Sequence, residues 1–256
     1  METQLTIFAT IFGLLVGSFL NALIYRLPRN INIALPRSSC TNCKKLIPWY
    51  ENIPVFSYLF LRGKCSGCGT KISLEYPAVE IITAIFAFSI APSDISTPSL
   101  LNFFFFFGIF CAFLVHLIVD LKHQILPDSI NLYLALLFLL ISVFTNSWIF
   151  WLSGAAIGLG FPLLVSWIFY QLKGQVGLGG GDIKLFGALG IYLGPIGIMQ
   201  NIFLSCFLGA VVGIVLMATK VIKRENPIPF GPFIIVVAGL QIFGESWFKH
   251  LMSYIP

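Results

Sequence analysis

Eight apolar runs separated by short polar turns constrain this chain more than any other feature. They lie near Thr3–Tyr25, Pro77–Ala91, Leu100–Val119, Ser129–Phe144, Trp148–Tyr170, Ile183–Gly194, Ile196–Thr219 and Phe230–Phe243. A helix needs about 20 apolar residues to cross the hydrocarbon of a bilayer. In that solvent every backbone N–H and C=O must be satisfied within the protein, which selects helices for runs like these. Composition agrees: 58% of residues are hydrophobic and 10% are charged, where a water-soluble domain carries roughly a quarter charged residues. The runs ending at Ala91, Phe144, Gly194 and Phe243 are short, so they imply soft boundaries, local thinning or re-entry. Only Glu2 precedes the first run and no basic segment does, so it reads as a retained span rather than a cleaved signal peptide. The expected fold is an all-α polytopic membrane protein of about eight transmembrane helices.

Charge placement tests that count independently. With the N-terminus outside, eight spans put Arg26, Arg29, Arg37, Lys44, Lys45, Arg62, Lys64 and Lys71 in one inner segment. Lys122, then Lys173 and Lys184, then Lys220, Lys223 and Arg224 fall in later inner loops. Of the 15 basic residues only Lys249 is left outside. A wrong number of spans would scramble this asymmetry, which is the positive-inside pattern. The net charge of +5 therefore follows from topology, and no nucleic-acid partner is expected; the bilayer itself is the first partner.

Three parts follow: residues 1–25 as the first span, residues 26–76 as a cytoplasmic insertion between helices 1 and 2, and residues 77–256 as a seven-helix membrane domain. The insertion holds Cys40-x2-Cys43 and Cys65-x2-Cys68. Thiolates two residues apart on a tight turn can face one ion, and two such turns close a tetrahedral site with no open position. A reducing cytoplasm favours structural Zn2+ over two disulfides or free thiols. Gly67 and Gly69 are expected to ease the turns, and the metal to supply folding energy that so small a segment lacks. Cys111 and Cys206 read as small core residues, and Phe103–Phe107 as lipid-facing.

Ionisable groups at membrane depth are functional candidates by default. Asp120 closes the third span and Asp182 opens the sixth, so the topology sets both at the cytoplasmic ends of their helices. Two carboxylates brought together share a proton, and such a pair can activate water against a carbonyl. The alternative is that Asp182, after Gly179–Gly181, merely caps its helix. Asp128 reads as a cap of the fourth helix. His116, one turn before Asp120, is either a relay or a helix-contact residue, and His123 is solvated.

Taken in order, the motifs resemble one family. Gly17-Ser18-Phe19-Leu20-Asn21, Tyr25-Arg26-Leu27-Pro28, Asn52-Ile53-Pro54, Arg62-Gly63-Lys64, Tyr76-Pro77-Ala78-Val79-Glu80, Asp120 through Asp128, Gly179-x-Gly181-Asp182-x-Lys184 and Ile228-Pro229-Phe230-Gly231-Pro232 are similar to elements of the bacterial type IV prepilin peptidases. These belong to the GxGD class of membrane aspartyl proteases. The resemblance implies an enzyme of the bacterial cytoplasmic (inner) membrane, with active site and zinc domain facing the cytoplasm. Asp120 and Asp182 would be catalytic, and Gly179, Gly181 and Lys184 would form the active-site loop. It implies cleavage of prepilin or pseudopilin leaders for type IV pilus, type II secretion or competence systems. Many relatives also N-methylate the new terminus with S-adenosylmethionine. Gly63 matches a glycine linked to that methylation, and Glu80 is a weaker candidate nearby. A proton- or cation-coupled transporter built on His116, Asp120 and Asp182, and a non-enzymatic zinc-bearing assembly protein, are the competing readings.

Overall fold

The computed structural model describes residues 2–175, 177–220, 228–245 and Phe248. Lys223, Arg224 and Lys249, used in the charge count, lie outside them. Among the described residues the chain is helical, with two isolated bridges and no longer strand. The helices are α1 (Glu2–Arg26), a short α2 (Phe56–Phe60), α3 (Glu75–Ser89), α4 (Thr97–His123), α5 (Asp128–Thr145), α6 (Trp148–Lys173), α7 (Gly180–Ala218) and α8 (Gly231–Phe243). Five of them, α1 and α4 to α7, are long and apolar enough to cross a membrane, while α3 and α8 are shorter. The chain divides into two compact units, Met1–Cys111 and Ala112–Pro256.

In the first unit α1 lies against α3 at backbone distance. A Cβ on Gly17 would come within 2.7 Å of Glu80 Cα, and one on Gly13 within 2.8 Å of Ala84 Cα. This is the small-residue packing by which helices associate in lipid, where apolar area alone gives no drive. Asn21 Nδ2 then donates to the Tyr76 carbonyl at 3.0 Å and pins the register. The Phe103–Phe107 run corrects the lipid-facing expectation. Phe103, Phe105 and Phe107 are buried, and Phe12 packs on Phe107 at 5.5 Å between ring centroids. Of the five rings helical periodicity turns only Phe104 fully outward, at 50% exposure, and leaves Phe106 half-buried.

In the second unit α7 settles the span count. It is interrupted at Gly194, where φ is +68° and ψ is −176°, directly before Pro195. That φ suits glycine alone, and Pro195 brings no N–H to continue a ladder. Contacts give the direction of each half. Asn131 at the start of α5 bonds the Gly181 carbonyl, and Ser142 bonds that of Ile191, so the first half runs alongside α5. The second half runs against α8: Gln241 bonds the Gly197 carbonyl, Ser205 that of Phe233, and Gly213 faces Ile228. Leu126 touches both Gly181 and Gly231, so α7 and α8 start at one level, and the chain doubles back at Gly194. The two expected runs Ile183–Gly194 and Ile196–Thr219 are these two halves. With α1, α3, α4, α5, α6 and α8 they make eight apolar segments.

The buried polar groups between the second half of α7 and α8 are paired. Asn201 Nδ2 donates to Gln241 Oε1 at 2.8 Å, and Ser205 Oγ donates to Asn201 Oδ1 at 3.3 Å. Cys206, expected in the core, is exposed, while Cys111 is buried. Helix α6 approaches the first half of α7 through Gly154 and Gly158, where a methyl group would run into the Gly190 and Phe186 carbonyls.

A reporter active only outside the cytoplasm, fused after Pro195, should be active, whereas the same reporter fused after Lys220 should be silent. In addition, Gly194→Ala forces a Cβ onto positive φ and into the Phe150 ring. We expect a loss of about 1–3 kcal/mol, read as a lower Tm of the detergent-solubilised protein.

Candidate active site and metal centre

Asp120 lies in the last turn of α4 and is 4% exposed. Its Oδ2 accepts the Gly231 N–H at 3.0 Å. This bond exists because residue 231 has no side chain: a Cβ there would stand 2.7 Å from the same oxygen and 3.0 Å from Leu126 Cδ2. Gly181 makes the same allowance on the other side, since its Cβ would sit 2.9 Å from Leu126 Cβ. Leu126 is thus seated between the starts of α7 and α8.

Asp182 is half-buried in the first turn of α7. Its carboxylate accepts the Gly179 N–H, and the Asp120 charge acts on it through space. The expected choice between capping and pairing was therefore not exclusive. Asp182 sits three residues after the N-cap Gly179 and reaches back to that residue's N–H, half of a capping box, while also lying in the field of Asp120. Around Gly180 the space is open, so backbone there is accessible to an extended chain.

Lys184 does not point toward the pair. Its Nζ lies 2.7 Å from both oxygens of Asp128. With side chains 54% and 70% exposed, that pair contributes about 0–1 kcal/mol. Asp128 makes no capping bond at the start of α5, where Pro127 is the N-cap, so its expected role as a cap is replaced by this ion pair. His116 is fully buried one turn above Asp120. Asn131 lies beside it, yet neither ring nitrogen, nor Asn131 Oδ1, has a hydrogen-bond partner among the described residues. Leu126, Asn131 and the Gly231 amide were not singled out from sequence. A lone Asn in an apolar run and a glycine between Phe and Pro were the available signals.

The four cysteines of the insertion converge. Their sulfurs all lie within 4.8 Å of one another, with Cys40 to Cys68 and Cys43 to Cys65 both at 3.9 Å. A disulfide requires about 2.05 Å, whereas a tetrahedral ion about 2.3 Å from each thiolate sets sulfur–sulfur edges near 3.8 Å. The geometry fits the ion. Two equivalent knuckles create it: Cys40 N–H bonds the Lys45 carbonyl and Cys65 N–H the Thr70 carbonyl, both at 2.9 Å. The residue after each second cysteine has positive φ, Lys44 at +60° and Gly69 at +70°. Gly67, expected to help the turn, instead leaves room for Lys45. The Thr70 hydroxyl and amide bring the Cys68 thiol down to about 6. Cys43 is pushed up to about 11 against the pull of the Lys45 amide, by burial and its thiol neighbours. Four thiols this close need a cation before all can ionise.

Glu80 is 7% exposed, and its Oε2 accepts the Val55 N–H at 2.7 Å. Gly63, at φ +65°, is buried against the Tyr58 ring, where a Cβ would meet the phenol oxygen at 2.8 Å. Elemental analysis of the purified protein should return about one transition-metal ion per chain. Replacing Cys40 and Cys43 with Ser should remove the ion and leave residues 38–72 open to proteolysis; a metal-free protein resistant to proteolysis would contradict this.

Comparison with known proteins adds to the geometry. The chain matches the Bacterial Peptidase A24 N-terminal domain over residues 11–93 and the Type IV leader peptidase family over residues 105–214. It is similar to proteins named prepilin leader peptidase/N-methyltransferase. That of Dichelobacter nodosus is 34% identical over 100% of this chain and 98% of the relative. That of Xanthomonas campestris pv. campestris is 36% identical over 90% and 88%, and that of Burkholderia pseudomallei 33% identical over 96% and 87%. No solved structure matches.

Proposed function

This chain belongs to the type IV leader peptidase family, and on that premise we propose that Asp120 and Asp182 are its catalytic pair. The protein cleaves leaders from type IV prepilins or pseudopilins and N-methylates the residue that cleavage exposes. The convergence of two carboxylates around Leu126, one bonded to the Gly231 amide and the other to the Gly179 amide, carries the reading. Two acids within each other's field share a proton. The ionised member takes a proton from water as the water oxygen bonds to the scissile carbonyl carbon, and the protonated member polarises that carbonyl. Collapse breaks the C–N bond, and the proton goes to the leaving amine. Gly179, Gly180 and Gly181 hold the extended substrate backbone by main-chain bonds. Lys184, through Asp128, ties the start of α7 to the start of α5.

The charge asymmetry supports a multi-pass protein of the bacterial inner membrane, with residues 26–76 and both aspartates on the cytoplasmic side. The apolar helix of the substrate then lies in the bilayer while its leader stays inside, which brings the scissile bond to the depth of the pair. Zinc is the ion of the Cys40, Cys43, Cys65 and Cys68 site, in a structural role, because four thiolates leave no open position. Gly63 and Glu80 serve methylation. There S-adenosylmethionine would supply the methyl group, which the exposed amine would accept with loss of a proton to solvent. The transporter reading has no support of its own: Asp182 lies in the field of Asp120 and His116 stands only one turn from Asp120, which is no series across the membrane.

Incubation with a synthetic prepilin and isotope-labelled methyl donor, followed by product mass, separates the two activities. Asp120→Asn and Asp182→Asn should each lower cleavage by about 10²–10⁴-fold in folded, membrane-inserted protein. Wild-type processing by either would remove that residue from the pair. Lys184→Ala should lower the rate less than about fivefold, in keeping with an exposed ion pair.

A further inference from the structure

The insertion does not stand clear of the helices that carry it. Glu80 Oε2 accepts the Val55 N–H at 2.7 Å, and Glu80 meets Gly17 in the contact between α1 and α3. Glu80 is the sixth residue of α3, which begins at Glu75. With a helical rise of about 1.5 Å per residue, Val55 is held about 7–8 Å inward of that end. Arg26, the last residue of α1, lies farther still toward the aqueous side. Helix α2 starts directly after Val55, so it begins beside the membrane helices and not beyond them. We propose that α2, with Trp49 and Tyr50, is an interfacial anchor. Its apolar face lies in the headgroup layer of the inner leaflet, and Arg62, Lys64 and Lys71 rest on anionic lipid phosphates. The proposal goes beyond cleavage and methylation, and it needs only that the chain is embedded in a membrane.

Two further observations select lipid as the occupant. The first is what α2 shows at that level. Phe56, Leu59 and Phe60 are spaced i, i+3, i+4 and share one face. All three are exposed, Phe60 by 85%. Ser57 is buried, and its hydroxyl donates to the Tyr50 carbonyl at 2.9 Å. That bond ties the exposed pair Trp49 and Tyr50 to the same short helix. Exposed apolar side chains gathered in this way mark a contact surface. Trp and Tyr favour the membrane–water boundary. An interfacial helix carries Trp, Phe and Leu on its apolar face and sinks it about 5–10 Å into the headgroup–acyl boundary, the depth at which Glu80 holds Val55.

The second is charge. Residues 26–76 carry eight basic residues against Glu51 and Glu75, an excess that four thiolates around one divalent ion do not cancel. Glu51 is paired with Lys45. Arg62 and Lys64 follow α2 where the chain folds back tightly: the Gly63 N–H bonds the Tyr58 carbonyl at 2.8 Å and the Lys64 N–H the Leu61 carbonyl at 3.0 Å. Lys71 faces Lys64 across an isolated bridge. All three cations are exposed, and none has an acidic partner among the described residues. Unpaired cations beside an apolar face complement the negative surface of a cytoplasmic leaflet, which draws basic segments to it.

The test uses the full chain with the photoreactive residue benzoylphenylalanine in place of Phe60, in vesicles of phosphatidylcholine with or without phosphatidylglycerol. Phe60 is exposed enough that packing is left alone, and an unaltered Tm checks this. Irradiation should join position 60 to lipid, read by mass, about threefold or more strongly when phosphatidylglycerol is present. Adding Arg62→Glu and Lys64→Glu should remove that preference. The same probe in place of Leu15, exposed on α1, labels lipid whenever α1 spans the bilayer, which separates a misplaced anchor from a wrong membrane reading. Adducts of position 60 with peptides of this chain or with added prepilin in place of lipid overturn the proposal. So does the absence of a lipid adduct at 60 while Leu15 labels. Equal labelling in the two lipid mixtures overturns the part assigned to Arg62, Lys64 and Lys71.

Discussion

The seating of Leu126 between Gly181 and Gly231 is the contact on which the membrane site depends. It brings the starts of α7 and α8 against the turn that follows α4, at the level where Asp120 and Asp182 stand. Each glycine is needed for distance: a methyl group at either would push Leu126 away, and at 231 it would also break the amide bond to Asp120. The doubling back at Gly194 serves the same end. It returns the second half of α7 along α8, where Asn201, Gln241 and Ser205 satisfy one another in an apolar setting. The start of α8, and with it the Gly231 amide, is held at the right depth by that packing.

The insertion solves a different problem. Residues 27–74 hold little buried apolar surface, with Trp49, Phe56, Leu59 and Phe60 all well exposed, so packing cannot hold them. Fixed polar contacts do so instead: the Arg26 guanidinium gathers three carbonyls at one end, Glu80 grips Val55 at the other, and the thiol cluster lies between them in sequence. Metal binding would convert most directly into folding energy in such a segment. The Glu51, Ser66 and Lys45 contacts tie one knuckle to the other.

Sequence showed the apolar segments, the paired cysteines and the two aspartates, because each is a local pattern: hydropathy, spacing, and a charge where charge is expensive. It also placed the break near Gly194, between the runs Ile183–Gly194 and Ile196–Thr219. It did not show that Asp182 could both cap α7 and lie in the field of Asp120, because local spacing cannot tell a cap from a partner that is distant along the chain. The Lys184–Asp128 pair was hidden for the same reason. The Phe103–Phe107 run was misread because period along a helix, not composition, decides which rings face Phe12. Gly231 stood in a recognised motif, but its amide bond to Asp120 depends on packing 111 positions apart.

The central claim is that Asp120 and Asp182 face each other at one depth. It is tested most directly by replacing both with cysteine and treating membranes with a short bifunctional thiol reagent, using each single replacement as the control for native cysteines. The account predicts an intramolecular cross-link joining peptides that contain positions 120 and 182, seen by mass and absent from both single variants. Modification of both introduced thiols without any cross-link between them would contradict it.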